Sequence, residues 1–198
     1  MKILAISDTH GDSQLIRKVA QMAKKEKIDL ILHAGDLTYF DKEQKGLLGP
    51  LTENNREVLM VHGNHESEET LKRLSEIYPL AKSVHSIGIE KNKVGIFGSG
   101  TTDWGFIKDS KQIFKELKKG HEKIKKLEKK IMISHSPPAG SAIELLGFPG
   151  SYGVRKAIDK FKPNFLVCGH IHEGGGLVEK IGDTTVINAA FTPIIFEI

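Results

Sequence analysis

Five short apolar runs, each ending on a polar turn, limit this 198-residue chain to a small set of folds. Each run is four to six residues long and contains branched side chains, which is typical of a buried β-strand. Each turn carries Asp, Asn or His. The runs are residues 2–7, 30–33, 57–61, 131–134 and 165–168, and the turns after them are Asp8-Thr9-His10, Gly35-Asp36, Gly63-Asn64-His65-Glu66, His135 and Gly169-His170-Ile171-His172.

The first two runs are joined by a segment with helical periodicity, which Asp12 or Ser13 can cap. Strand, helix and strand in this order predict a right-handed parallel crossover, with both polar turns at the same edge of the sheet. Ligands of open α/β sheets bind outside the carboxyl ends of the strands. We therefore expect all of these turns to converge on one site.

The remaining segments predict a mixed architecture in one domain over residues 1–198. Helices are predicted to begin at the caps Ser67 and Ser151, and residues 38–55 are interpreted as a polar surface excursion. A lysine-rich helix with a candidate break at Gly120 follows the loop 98–106. A hairpin is predicted over residues 86–97, and antiparallel strands are predicted over residues 177–180, 184–187 and 194–198.

The charge distribution argues against a nucleic-acid partner, although the net charge is +4. Ten lysines fall between Lys108 and Lys130, but glutamates and helically spaced apolar residues are interleaved with them, which is typical of a solvated helix face. No apolar run approaches the length of about 18 residues that a membrane span needs. We expect a cytoplasmic protein in which Cys168, inside an apolar run, is a buried structural thiol.

The donor types in the polar turns favour divalent metal ions. Each residue alone has an ordinary explanation as a turn former, a helix-cap neighbour or a satisfied strand-end histidine. Together, carboxylate, imidazole and amide donors without thiolates suit Mn, Fe, Ni, Co or Zn. Because six ligands exceed what one catalytic ion takes, two ions sharing a carboxylate are expected. Such a pair activates a bridging water for in-line attack, which is the chemistry of phosphoester hydrolysis.

In this chain order the motifs D-x-H, G-D, G-N-H-[DE], H and G-H-x-H resemble the calcineurin-like metallophosphoesterases, and they span residues 8–172. The resemblance implies an α/β fold, a two-sheet β-sandwich flanked by helices. It implies two divalent ions, with manganese favoured, and a catalytic His65 that donates a proton to the leaving oxygen. The implied ligands are Asp8, His10 and His172 for one ion, Asn64, His135 and His170 for the other, and Asp36 between them.

A departure from the family pattern bears on the substrate. Protein phosphatases of this superfamily carry G-D-x-x-D-R-G, whereas residues 35–41 read GDLTYFD and lack the arginine. Two divalent ions with two carboxylates and a hydroxide leave a net charge near +1, which matches a phosphodiester. We therefore expect the substrate to be a small phosphodiester, with nucleotides among the candidates. A phosphomonoesterase or nucleotidase is the alternative, in which Arg155 holds the second charge.

Two further functional classes are alternatives, and several side chains have more than one candidate role. A non-catalytic scaffold would keep the fold but lose the metal site, and retention of His65 beside all seven inferred ligands argues for an enzyme. A DNA nuclease would need a DNA-contacting surface that only the lysine-rich helix offers. Trp104, Phe106 and Phe148 are candidates to stack on a base, with packing on the core as the more ordinary role. Glu66 is expected to support its turn.

Overall fold

The computed structural model describes residues 1–42, 46–100 and 109–198. Short turns of 3-10 helix lie at Glu53–Asn55, Ala142–Leu146 and His172–Gly174. The longer elements, in chain order, are β1 (Lys2–Ile6), α1 (Ser13–Lys25), β2 (Leu30–His33), α2 (Gly49–Thr52), β3 (Glu57–Met60), α3 (Glu68–Ile77), β4 (Ala81–Ser83), β5 (Gly88–Lys91), β6 (Val94–Ser99), α4 (Ser110–Ile124), β7 (Lys129–Ser134), α5 (Tyr152–Phe161), β8 (Phe165–Cys168), β9 (Val178–Ile181), β10 (Thr184–Asn188) and β11 (Ile194–Glu197).

The strands of the described residues form two mixed sheets. The first has the order β11-β1-β2-β3-β4, with β11 antiparallel to β1 and the other neighbours parallel. The second has the order β5-β6-β7-β8-β10-β9, with antiparallel pairs at both edges. In both sheets the central strands are parallel, so their carboxyl ends share one edge.

Alternation along the strands builds a layered core. In β1, Leu4 and Ile6 pack with α1 and α3, whereas Ile3 and Ala5 face the second sheet. A third cluster joins α4 and α5 to the outer face of the second sheet. The result is helices, sheet, sheet and helices, which confirms the predicted α/β sandwich. The single-domain organisation of residues 1–198 stays a prediction.

Local signals for the helices are largely confirmed. Asp12 caps α1 by accepting the backbone N–H groups of Gln14 and Leu15, and Ser67 and Ser151 cap α3 and α5. Cys168 is fully buried, and burial raises the pKa of its thiol far above the ordinary value. No helix in the described part of the chain is long and apolar enough to cross a membrane.

The predicted break at Gly120 is wrong. Helix α4 runs through this position without interruption. The residue is glycine because α4 lies close to the segment before β5. A Cβ at position 120 would stand 2.9 Å from the carbonyl oxygen of Ile87. Gly120 therefore permits a close approach between α4 and the segment before β5, and does not end the helix.

Other predictions fail where the partner of a segment is distant in sequence. The interval 38–55 is not only a surface excursion, because Leu47, Leu48 and Leu51 are buried against α1 and its sheet. The strand β4 was not predicted. Of the last three strands, β10 pairs in parallel with β8, and β11 joins the other sheet.

Candidate metal centre

The carboxyl ends of five parallel strands meet where the two sheets pack together. Asp8 and His10 follow β1, Asp36 follows β2, and Asn64 and His65 follow β3. From the second sheet, His135 follows β7, and His170 and His172 follow β8. The structure brings the seven predicted metal ligands and the predicted proton donor His65 into this one cluster.

One set of donors comes from the first motif and the last. The Nε2 atoms of His10 and His172 lie 3.3 Å apart. The Nε2 atom of His172 lies 3.3 Å from Oδ1 of Asp8. Both carboxylate oxygens of Asp8 accept the backbone N–H of His170, Oδ2 at 3.0 Å and Oδ1 at 3.2 Å. This shared hydrogen bond holds the carboxylate with Oδ1 beside the imidazole of His172.

A second set is centred on the amide oxygen of Asn64. Its Oδ1 lies 3.0 Å from Nε2 of His135 and 3.0 Å from Nδ1 of His170. The other ring nitrogen of His135 lies 2.9 Å from the carbonyl oxygen of Ala34. Since a carbonyl only accepts, Nδ1 of His135 carries the proton and Nε2 presents a lone pair when the ring is neutral.

Asp36 lies between the two sets. Its Oδ2 is 3.7 Å from Nε2 of His10 in the first set and 3.5 Å from Nε2 of His135 in the second. Its Oδ1 accepts the backbone N–H of His65 at 2.9 Å. One carboxylate oxygen is thus used to hold the turn after β3, and the other faces both groups of donors.

The pKa values in the cluster reflect burial and mutual contact. Burial lowers the pKa of His10 and that of His170, the latter to about 4, which favours neutral imidazoles. Burial alone would lower the pKa of His135, but the negative charges of Asp36 and Asp8 have the larger effect and raise this pKa. The hydrogen bond to Asp8 raises the pKa of His172. Although burial raises the pKa of Asp8, His172 and His135 bring it well below the ordinary value.

This donor set fits divalent cations. Imidazole nitrogens, carboxylate oxygens and an amide oxygen converge here, and a cation between them would balance the negative charge of Asp8 and Asp36. Asp8, His10 and His172 form one candidate group of metal-binding atoms within 4.8 Å of one another, and Asp8, Asp36 and His135 form another. Because the pKa values of His135 and His172 are raised, an ion bound here would compete with protons for these two imidazoles.

Four residues of the cluster have a strained backbone conformation. Asp8, His10, Asp36 and His170 all have φ between 45° and 70°, in the left-handed region. Each such residue costs on the order of 1–3 kcal/mol, and clusters of them are found at functional sites. This backbone conformation turns side chains that come shortly after a strand towards the common edge of the sheets.

The position of Gly63 before Asn64 suggests a glycine that permits a tight turn, but the structure gives a different reason for it. Its φ is not among the positive values of the chain. A Cβ at this position would lie 2.0 Å from Oδ1 of Asp36, which is impossible without displacing the carboxylate. Gly63 therefore makes room for the residue that stands between the two sets of donors.

The ring of His65 is held by aromatic contacts. Tyr39 stacks on it at 5.2 Å between centroids, with 29° between the planes, and Phe40 lies 4.5 Å away. Its Nδ1 is buried and has no hydrogen-bond partner among the described residues. Its Nε2 lies 4.0 Å from Oδ2 of Asp36, so this nitrogen faces the cluster.

Sequence reasoning missed three aromatic residues next to the histidines. Tyr39 and Phe40 lie in the segment interpreted as a surface excursion, and Phe191 lies between β10 and β11. Phe191 contacts His172 at 4.6 Å and His10 at 5.7 Å between ring centroids. Nothing local distinguishes them from other loop aromatics. Of the aromatics that were predicted, Trp104 and Phe106 lie outside the described residues.

Two predicted candidates do not join the cluster by any contact seen in the described residues. The guanidinium of Arg155 donates to Asp159 at 3.1 Å and to the carbonyl of Ala139 at 3.3 Å. Phe148 is partly exposed in the segment after the turn Ala142–Leu146, and no ring contact joins it to the histidines of the cluster. The buried His33 supports the first motif instead, with Nε2 3.1 Å from Oγ1 of Thr9.

Glu66 ties the turn after β3 to the turn after β2. Its two carboxylate oxygens accept the backbone N–H groups of Gly63 at 2.9 Å and of Thr38 at 3.0 Å. The side chain is buried, and burial together with the nearby Asp36 raises its pKa to about 7. Glu66 thus holds Asp36 and Asn64 at a constant separation, as expected of a residue that supports the turn.

We expect Glu66→Gln to lower the free energy of unfolding by about 1–3 kcal/mol, because the amide nitrogen would face a backbone N–H and leave it unsatisfied. Denaturant unfolding measures this. Glu69→Gln, an exposed change in the first turn of α3, is the matched control and should cost less than about 1 kcal/mol. Equal stability of the two variants would show that Glu66 does not hold the turns together.

Comparisons with known proteins agree with this geometry. Residues 1–174 match the family model described as calcineurin-like phosphoesterase. A Caenorhabditis elegans protein, UPF0046 protein K07C11.7, is 26% identical in an alignment that covers 96% of this chain and 69% of that protein.

Solved structures share the architecture. The protein TT1561 of Thermus thermophilus superposes with a TM-score of 0.79 at 18% identity, over 96% of this chain and 90% of that chain. An archaeal phosphodiesterase superposes with a TM-score of 0.52 at 18% identity, over 95% of this chain and 82% of that chain. At these identities the structures show a common fold alone.

Proposed function

Because this chain belongs to the calcineurin-like phosphoesterase family, we propose that it hydrolyses phosphodiesters with the help of two divalent ions held by the cluster described above. The observation that carries the proposal is the position of Asp36. One of its oxygens lies within 4 Å of donors from both sets, at 3.7 Å from His10 and 3.5 Å from His135. That arrangement suits two ions that share a carboxylate.

We assign Asp8, His10 and His172 to one ion and Asn64, His135 and His170 to the other, with Asp36 between them. The distances within each set are 3.0 to 3.3 Å, which supports this division. When bound, two such ions would supply an activated water as nucleophile and neutralise charge on the phosphoryl oxygens. Manganese is the metal that we favour among Mn, Fe, Ni, Co and Zn, all of which suit oxygen and imidazole donors without thiolate.

His65 is proposed to hold the proton for the leaving oxygen at its Nε2. This atom faces the cluster, whereas Nδ1 is buried and the ring is stacked on Tyr39. The backbone N–H of His65 is bound to Asp36, so the acid and the shared ligand are positioned by the same hydrogen bond. A proton donor in this place assists departure of an alkoxide that would otherwise leave as a strong base.

The preference for diesters rests on charge. A diester carries one negative charge and a monoester about two near neutral pH. None of the described residues that form the cluster is an arginine or a lysine, and Arg155 is bound to Asp159 and Ala139. The second charge of a monoester would therefore lack a cationic side chain to bind it.

The test compares bis(p-nitrophenyl) phosphate with p-nitrophenyl phosphate, using protein that was stripped of metal and reloaded with manganese. We expect metal-dependent turnover of both, with a higher kcat/KM for the diester. A faster monoester reaction would contradict the diester assignment and direct attention to Arg155 or a lysine. Absence of turnover with every divalent metal would contradict the enzyme proposal and favour a scaffold.

A further inference from the structure

Three partly exposed aromatic side chains surround the metal-binding cluster, and we call them the aromatic rim: Tyr39, Phe40 and Phe191. Their exposed fractions are 45%, 46% and 42%. Large aromatic side chains are normally covered in a folded protein. The rim therefore presents ring surface to solvent directly beside the donors of the candidate centre.

The rim approaches the cluster from two directions. Tyr39 and Phe40 lie against His65, with ring centroids 5.2 and 4.5 Å away. Phe191 lies 4.6 Å from His172 instead. Both parts reach His10, since Tyr39 is 6.1 Å and Phe191 is 5.7 Å from it. A ligand bound beside these histidines would therefore lie near aromatic side chains from both parts of the rim.

Two members of the rim adopt a backbone conformation that bulky residues rarely take. Phe40 has φ of 53° and Phe191 has φ of 51°. Glycine or asparagine would adopt the left-handed region with less strain. Because both rings are partly exposed, burial in the core does not explain why phenylalanine stands there. Strain of this kind is typical of residues that contact a ligand.

Hydrogen bonds fix the rim in place. The backbone N–H of Asp41 donates to the carbonyl of His65 at 3.0 Å, and Oδ1 of Asp41 accepts the N–H of Ser67 at 2.9 Å. On the other side, the N–H of Phe191 donates to the carbonyl of Ser7 at 3.0 Å. The backbone on both sides of the rim is thus held to the turns that carry the donors, which reduces the entropy lost when a ligand binds.

We propose that the aromatic rim binds a planar ring of the substrate, so that the substrate is a phosphoester of a nucleoside with its base stacked on the rim. The inference rests on the proposed function, because the phosphoryl group is taken to bind at the metal centre. Stacking on aromatic side chains recognises the π-face of any base. A sugar phosphate without a base would leave the rim uncovered.

Calorimetric titration of the manganese-loaded protein tests this with AMP, ribose 5-phosphate and inorganic phosphate. AMP and ribose 5-phosphate share the phosphate and the ribose and differ by the base. We expect AMP to bind at least about 5-fold more tightly than ribose 5-phosphate, which is the low end of one base stacked on an aromatic ring. Turnover of bis(p-nitrophenyl) phosphate by the same preparation tests the underlying function separately.

Phe40→Leu and Phe191→Leu keep an apolar side chain of similar size and remove the ring. Each should reduce the advantage of AMP over ribose 5-phosphate, while the affinity for ribose 5-phosphate and phosphate stays within about 2-fold of the parent protein. Tyr152→Ala is the matched control, because Tyr152 is 77% exposed at the start of α5. It should change neither affinity.

Three results would overturn the inference, and they are distinguishable. Equal affinities for AMP and ribose 5-phosphate in a protein that turns over the diester would show that no base is bound by the rim. If the leucine variants lost affinity equally for all three ligands, the rings would only position His65 and His10. Failure to bind any phosphate and to turn over the diester would remove the proposed function itself.

Discussion

Asp36→Asn should reduce kcat/KM for bis(p-nitrophenyl) phosphate by about 1000-fold or more, since the shared carboxylate supports several kcal/mol of transition-state stabilisation. The neutral amide removes a negative oxygen that faces both sets of donors, at 3.7 Å from His10 and 3.5 Å from His135. Both ions should therefore bind more weakly, and metal analysis should find a reduced content for the variant.

The same variant separates a loss of metal from a loss of folding. Asp36 is a buried carboxylate, and asparagine has nearly the same shape without the charge, so the metal-stripped protein should melt at a similar temperature or higher. The rise in melting temperature that manganese gives the parent protein should be largely lost. Asp12→Asn is the control, because asparagine caps α1 as well as aspartate does. An Asp36→Asn protein with a full metal content and full turnover would contradict the assignment.

His65→Ala should retain both ions but lose turnover of diesters with a poor leaving group by about 100- to 10,000-fold, the usual contribution of a general acid. The loss should be much smaller for bis(p-nitrophenyl) phosphate, because p-nitrophenolate leaves without a proton. A cyclic nucleotide, whose leaving group is a ribose alkoxide, should show the full loss. The ratio of the two effects reports proton donation and is insensitive to the amount of folded protein.

The metal content of His65→Ala decides between two roles for this side chain. Its Nε2 lies 4.0 Å from Asp36, and with His10 and Asp36 it forms a further group of atoms that could bind an ion. If His65 is a ligand, the variant should lose metal as His172→Ala is expected to do. If it is the acid, its metal content should match that of the parent protein. Equal losses with both leaving groups would also argue against proton donation.

The position of the cluster could be predicted because each of its residues lies one to five positions after a strand. Residues such as Asp8 and Asp36 come within three positions of a buried apolar run. In parallel strands the direction of the chain determines which edge of the sheet such residues reach. The same local signals predicted the helix caps at Ser67 and Ser151. Local composition contains this information, since burial and capping involve neighbours in sequence.

The features that were missed depend on partners far away in the chain. Gly63 is needed because Asp36, 27 residues earlier, would meet its Cβ. Strand β11 follows β10 of the second sheet along the chain, but it pairs with β1 of the first sheet, at the other end of the chain. Phe191 becomes a neighbour of His10 only through this pairing and the hydrogen bond to Ser7.

The sequence by itself determined the α/β class, the order of the strands that carry the donors and the identity of the residues that meet. The tertiary structure decided which donors face each other, which oxygen of Asp36 stands between them, and that Tyr39, Phe40 and Phe191 border the cluster. The physical reason is that hydrophobic periodicity and turn chemistry act over a few residues. Side-chain distances depend on strand pairing and sheet packing, which join residues that no local pattern relates.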